Sequence, residues 1–324
     1  MKPASAVILV GGTTPSRIRS QFGMPVCLLP IPPNTRILER WIRLIERVGS
    51  VRDIYVVTGR PEDVDQIQAV VDDFRSACGS RIRVTRDLRE HRGTAGTVRD
   101  TIAHYVITDD VIVVEGTTIP PGVRIDIHRQ AGDDESMAGV LASDANSEPA
   151  GIILLRNDVF RLVPEIGFFD LKEQLVPKIL DGGRKIRVCK VDDVVRRITS
   201  VHSYNRHIKS MAEDESGSDE RGPWIHETAR VDPSAIIDSS VVVGKDVRIG
   251  PGAVVIDSVI LEGARIRGES VVARSTIKAN TEVKPGSRIV ESVNVLEDAR
   301  VPLHRQRRFG NPGEDAPRFV GVRK

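Results

Sequence analysis

Residues 9–31 read LVGGTTPSRIRSQFGMPVCLLPI and open on the end of an apolar run, residues 5–10, that is closed by the pair Gly11–Gly12. A glycine pair after a buried strand suits phosphate chemistry, because backbone N–H groups approach an anion closely only where no Cβ intervenes. A second small-residue segment, RGTAGTV at 92–98, places Gly93, Thr94, Ala95 and Gly96 at the start of a helical pattern. N–H groups at a helix start are expected to face a pocket and to favour an anion or a polar ligand edge. Gly11, Gly12, Gly93, Thr94, Ala95 and Gly96 are therefore the candidate nucleotide-binding residues. A plainer reading stands beside this one: small residues at 93–96 also let a helix pack closely on a sheet.

The elements that must position these residues alternate. SAVILV (5–10) is a short buried strand, and ILERWIRLIERVG sets Ile37, Trp41, Leu44 and Ile45 on one helical face. DIYVVTG (53–59) is the next strand, PEDVDQIQAVVDDFRSAC begins a helix on Pro61, and RIRVTRD, GTVRDTIAHYV and DDVIVVEG continue the alternation. GIILLRNDVF, LKEQLVPKIL, KIRVCKV and SVHSYNRHIKSM complete it. The pattern predicts a Rossmann-like, doubly wound α/β domain over residues 1–211. Residues 212–223, AEDESGSDERGP, are charged and nearly devoid of apolar side chains, which predicts a solvated acidic linker.

From Trp224 a period of six takes over. One row runs Ile225, Val231, Ile237, Val243, Ile249, Val255 and Leu261, with Gly, Asp, Ser or Pro between stations. A second row runs from Ala229 through Val241, Val247 and Val259 to Val295, broken at Arg265, where Ile260, Ile266 and Val272 suggest a shifted register. This is the hexapeptide signature of a parallel β-helix, and residues 224–298 supply about four coils. Residues 299–324 form a basic tail.

Composition bounds the partners. Lys plus Arg number 47 against 45 Asp plus Glu, so no bulk charge recruits nucleic acid or membrane. Three scattered cysteines supply neither a disulfide framework nor a zinc site. No apolar run reaches the length of a membrane span. The expected location is the cytoplasm.

An α/β domain opening on Gly-Gly and followed by a hexapeptide helix resembles the sugar nucleotidyltransferases, the pyrophosphorylases that make nucleotide sugars, including the mannose-1-phosphate guanylyltransferases. The resemblance covers residues 5–298. It implies a left-handed β-helix and a transfer reaction between a nucleoside triphosphate and a sugar 1-phosphate. The family signature G-G-x-G-T-R, followed by P-K-P-L-L-P-I, is met here at Gly11–Gly12 and at Leu28–Ile31 without a gap. In that register Thr14 replaces a glycine, Pro15 a threonine, Ser16 the arginine and Val26 the lysine. Thr117 and Arg197 stand where the family holds its metal with two aspartates. Arg17 or Arg19 would have to bend into the phosphate site to compensate. Glu115 and Asp192–Asp193 would need a different strand face or register to hold a metal. The sugar-binding segment is shortened to the trace Glu148–Pro149.

These departures remove cations and carboxylates that stabilise charge in phosphoryl transfer. The expectation is a catalytically degenerate homologue, with no catalytic residue, no metal and no cofactor. It would bind a nucleotide or nucleotide sugar and assemble as a homo-oligomer, or with an active relative. Two alternatives stay open: an active enzyme with a rearranged site, and an acyltransferase module using His226 or His304 as base.

Overall fold

The computed structural model describes residues 3–11, 17–32, 35–48, 51–122, 127, 134, 136–216 and 222–292. Thr14, Pro15, Ser16, Gly12, His304 and the basic tail lie outside the described residues. The chain divides into two compact units. One holds Met1–Leu29 with Arg36–Ile198, the other Pro30–Thr35 with Thr199–Lys324.

The first unit is built on a mixed seven-stranded sheet. Its early elements are β1 (Ala4–Leu9), α1 (Arg17–Phe22), α2 (Ile37–Val48) and β4 (Val51–Thr58); the short strands β2 (Pro30–Ile31) and β3 (Thr35–Arg36) come between α1 and α2 in the chain, and Pro30–Thr35 belongs to the second unit. There follow α3 (Pro61–Phe74), β5 (Arg81–Arg86), α4 (Gly93–Tyr105), β6 (Asp110–Glu115), β7 (Thr118–Ile119), β8 (Met137–Ser143) and β9 (Pro149–Leu155). A π-helical turn, Leu171–Leu175, runs into α5 (Val176–Asp181), and β10 (Lys185–Lys190) and β11 (Arg196–Arg197) close the unit. The strand order is β10-β8-β9-β6-β1-β4-β5. β1 lies parallel to β4 and β6, and β9 alone runs antiparallel between β6 and β8.

The central strands are buried on both faces, which is why they read as continuous Val and Ile runs rather than alternating ones. Ala95 and Val98 of α4 pack with Val7, Val113 and Leu155 of the sheet. On α2 the predicted face of Ile37, Trp41, Leu44 and Ile45 is buried, together with Leu38 and Ile42. Pro61 starts α3, with Glu62 and Asp63 in its first turn, where a helix dipole favours carboxylates.

The second unit contains the expected left-handed β-helix. Its strands are β12 (Trp224–Ile225), β13 (Arg230–Val231), β14 (Ile236–Ile237), β15 (Val242–Val243), β16 (Arg248–Ile249), β17 (Val254–Ile256), β18 (Val259–Ile260), β19 (Arg265–Ile266), β20 (Val271–Ala273), β21 (Thr276–Ile277), β22 (Glu282–Val283) and β23 (Arg288–Val290). They form three parallel sheets, β12-β15-β18-β21, β13-β16-β19-β22 and β14-β17-β20-β23. Ile237, Val243, Ile249 and Val255 fill the interior, as the row that runs from Ile225 predicts.

The register shift does not fall at Arg265. The inward row already passes from Val255 to Ile260, five residues on, and later from Val272 to Ile277. Both steps occur at one corner of the helix, after Asp257 and Arg274, each with positive φ. Serine explains the shorter corner. The Ser258 hydroxyl accepts the Ser275 N–H at 3.1 Å, and the Ser275 hydroxyl accepts that of Ser292 at 3.1 Å. A side-chain oxygen thus takes the hydrogen bond that a backbone carbonyl takes elsewhere.

One boundary moves. Helix α6 (Val201–Ser216) lies in the second unit and packs against β12, β15 and β18. Tyr204, Ile208, Met211 and Ala212 are its buried residues, and the Tyr204 hydroxyl donates to the Pro30 carbonyl at 2.6 Å. The expected domain end at residue 211 therefore falls inside a helix, and the compact units part at Ile198. Residues 212–216, expected as linker, are helical because Met211 and Ala212 bury the helix's last turns against the coil.

Candidate active site

β1 and β6 end side by side, and the residues after them carry the chemistry. The Gly116 N–H donates to the Leu9 carbonyl, and the Gly59 N–H to the Gly11 carbonyl, tying the three strand ends together. Gly11 is exposed and has φ 142°, a backbone state that favours glycine. The position of the family lysine is Val26, which is buried in a 3-10 turn, Val26–Leu28. No cation can arise there. The neighbouring Cys27 is no nucleophile either, since burial and then the Asp63 charge push its thiol pKa up. Arg19 does not reach toward a phosphate. Its guanidinium holds the buried carboxylate of Asp63 on α3, through Nε at 3.3 Å and through Nη2.

The second candidate segment differs from expectation. The N–H groups of Ala95 and Gly96 do not face a pocket, because both donate to the Phe169 carbonyl, at 3.1 and 3.2 Å. The Phe169 N–H in turn donates to the Arg92 carbonyl at 2.8 Å. The chain before the π-helical turn thus occupies the start of α4. A Cβ on Gly93, whose φ is 71°, would sit 2.6 Å from the Phe169 oxygen, so glycine is required for that crossing. Close packing accounts for Gly93, Ala95 and Gly96. Thr94 is different. Its hydroxyl donates to Asp170 Oδ2 at 2.9 Å and accepts the Leu171 N–H at 2.8 Å.

Thr94 and Asp170 border a cavity of about 200 Å³, lined also by Leu9, Glu115, Gly151 and Lys172. Asp170 caps the π-helical turn by accepting the Lys172 and Glu173 N–H groups. Burial raises its pKa, but those N–H donors and the Thr94 hydroxyl outweigh it and leave the carboxyl below the ordinary range.

The two positions where the resemblance expects metal ligands are brought together, one now neutral (Thr117) and one cationic (Arg197). β11 pairs antiparallel with β7, so Arg197 lies opposite Thr118, next to Thr117. β7 is itself anchored by Trp41, whose indole N–H donates to the Thr118 carbonyl at 2.8 Å. Arg197 donates to Glu115 Oε2 at 3.0 Å and to the Pro149 carbonyl at 2.9 Å. Lys172 donates to the other oxygen, Glu115 Oε1. One carboxylate is shared between two cations.

Glu115 does reach this site from the end of β6, contrary to the register argument against it. It is neutralised there. Asp193 is turned elsewhere: it accepts the Gly122 N–H at 2.6 Å and the Val194 N–H at 2.7 Å and pairs with Arg196. Among the described residues no group of three His, Cys, Asp or Glu side chains is placed to hold a metal ion. The site does not fit Mg²⁺, which needs several oxygen ligands and is repelled by two adjacent cations.

Glu148–Pro149 forms part of the β8–β9 hairpin. Asp144 shapes that turn, accepting the Asn146 and Glu148 N–H groups. In the β-helix, His226 Nδ1 accepts the Thr228 N–H at 3.1 Å within its own corner. That position is structural.

Residues 222–303 match the family model described as the GMPPB C-terminal domain. A stretch of 71 residues is 28% identical to the Bifunctional protein GlmU of Marinobacter nauticus, covering 22% of this chain and 16% of that protein. Both matches support the sugar nucleotidyltransferase family. The family model covers residues of the second unit, which carries the hexapeptide helix. No helix among the described residues is long and apolar enough to cross a membrane.

Lys172 and Asp170 were not singled out by the sequence. Both lie in FDLKEQL, whose pattern speaks only of a helix, and Lys172 meets Glu115 across 57 residues.

Proposed function

We propose that the chain is a catalytically degenerate sugar nucleotidyltransferase homologue. It acts as a regulatory or assembly subunit in nucleotide-sugar or polysaccharide metabolism in the cytoplasm, and it binds a nucleotide or nucleotide sugar without metal. The observation that carries this reading is the Glu115 carboxylate closed between Lys172 and Arg197. A transferase needs free carboxylates to hold a metal on the phosphates and cations to receive the departing pyrophosphate. Here the cations are spent on the carboxylate. Buried Val26 supports the same conclusion, since no rotation of its side chain restores a charge.

The cavity supports binding of part of a ligand. Small-molecule sites span roughly 300–1,000 Å³, and about 200 Å³ bordered by Thr94, Asp170 and apolar strand ends suits a ring, not a whole nucleotide. Gly11 lies on the way out of β1, where the remainder of the ligand would be met by backbone.

Release of pyrophosphate, measured with Mg²⁺ across nucleoside triphosphates and sugar 1-phosphates, tests the proposal. No turnover above background is expected. A rate near ~1 s⁻¹, ordinary for enzymes, would establish an active transferase with a rearranged site.

A further inference from the structure

The three faces of the β-helix differ in chemistry, and one carries a column of arginines. Arg230 of β13 pairs in register with Arg248 of β16, and Arg248 with Arg265 of β19. All three side chains are exposed, and Arg267 stands two residues beyond Arg265. An open groove of about 560 Å³ runs along them, lined also by Gly250, Pro251, Gly268 and Pro285. Like charges directly opposite one another weaken a sheet ladder. At the upper end the repulsion is offset: Arg267 pairs with Glu282 at 2.9 Å, and Glu282 lies opposite Arg265 in the ladder. At the lower end no ion pair offsets it, although Glu227 and Asp246 border a separate cavity with Arg230 and Arg248. Among the described residues no carboxylate lies within ion-pairing distance of Arg230 or Arg248. Asp232, also on the groove, is engaged by the Ser234 N–H and hydroxyl.

We propose that this column is a binding site for a linear phosphoryl anion, a di- or triphosphate group. Guanidinium forks match phosphate oxygens bidentately and keep their charge at any physiological pH. Neighbouring rungs lie ~4.8 Å apart. Carboxylates on one side of an extended peptide lie ~6.8 Å apart and fall out of step with the rungs. Consecutive phosphoryl groups place their charges more closely and bridge adjacent arginines. One such anion converts the unmatched Arg230–Arg248 repulsion into shared hydrogen bonding. The site is independent of the first unit's chemistry, because every residue in it belongs to the hexapeptide helix.

Calorimetry on the full chain with orthophosphate, pyrophosphate, tripolyphosphate and a glutamate oligopeptide tests it. Affinity is expected to rise with the number of phosphoryl groups and to fall with added salt. Arg248→Gln is expected to weaken tripolyphosphate binding by about tenfold or more, with thermal stability unchanged or raised because the repulsion is relieved. Arg288→Gln, on the neighbouring sheet of the same unit, controls for general charge and should leave binding unchanged. Equal affinity for orthophosphate and tripolyphosphate, preference for the peptide, or equal effects of the two substitutions would each overturn the proposal.

Discussion

Arg197 does two things at once: one arm of its guanidinium meets Glu115 and the other the Pro149 carbonyl. That geometry ties the end of β6 to the start of β9, through a side chain that the family register assigns to a metal ligand. A lysine does not reproduce this bridge, since its donors share one nitrogen whereas the guanidinium spans the two acceptors with two nitrogens in a fixed fork. Arg197→Lys and Arg197→Ala should therefore both destabilise the first unit, by about 1 kcal/mol given the partial exposure of the pair. Urea denaturation measures this, and an unchanged midpoint for Arg197→Lys would refute the bridging role. Arg197→Asp reverses the charge and gives Glu115 a second carboxylate. It should create Mn²⁺ binding that the parent lacks, detectable by calorimetry without any assay of activity.

At the scale of elements, the π-helical turn and the start of α4 hold each other. Phe169 supplies the acceptor for two α4 N–H groups, and Asp170 caps the turn while accepting from Thr94. Because the Asp170 carboxyl is held below its ordinary range, its contribution to stability is fully present above the unfolded carboxylate pKa, near ~4. It is lost as pH falls through the lower folded value. Asp170→Ala should cost about 1 kcal/mol at neutral pH, a usual figure for a lost cap, and the difference should shrink on acidification. A pH series of denaturation curves checks the sign: a gap between parent and variant that widens toward low pH would be incompatible with it. Gly93 belongs to the same contact, so enlarging it perturbs packing before it says anything about ligands.

On the scale of the whole molecule, the hexapeptide helix assigns one task to each face. Helix α6 covers the sheet of β12, β15, β18 and β21, and the arginine column lines the second. The third presents Ile236, Val254 and Val271 outward, with Ile236 44% and Val290 46% exposed. A repeated apolar surface on a flat sheet marks an interaction site. We expect the full chain to self-associate through it, and Ile236→Lys with Val290→Lys to shift the population toward monomer. Light scattering at micromolar concentration decides: a monomeric parent, or a variant with undiminished association, would remove this face as the interface.

Patterns that repeat locally were legible in the order of the residues. Buried runs of Val and Ile announce the strands of the first unit, the period of 3.6 gives α2 its face, and the period of six gives the coil its interior. Each of these signals lives between near neighbours, where burial alone decides side-chain type. Val26, Thr117 and Arg197 were equally legible as departures from the motifs the sequence resembles, because a fixed register of motifs assigns each position an expected chemistry. Tertiary structure alone decided the rest. The Glu115 carboxylate meets cations 57 and 82 residues away, the Phe169 carbonyl takes the N–H groups expected to face a ligand, and α6 chooses the coil over the sheet that precedes it. Periodicity tells that a helix has an apolar face and not which surface will cover it. Charge tells that a side chain needs a partner or water, and only the fold brings one of the two within reach.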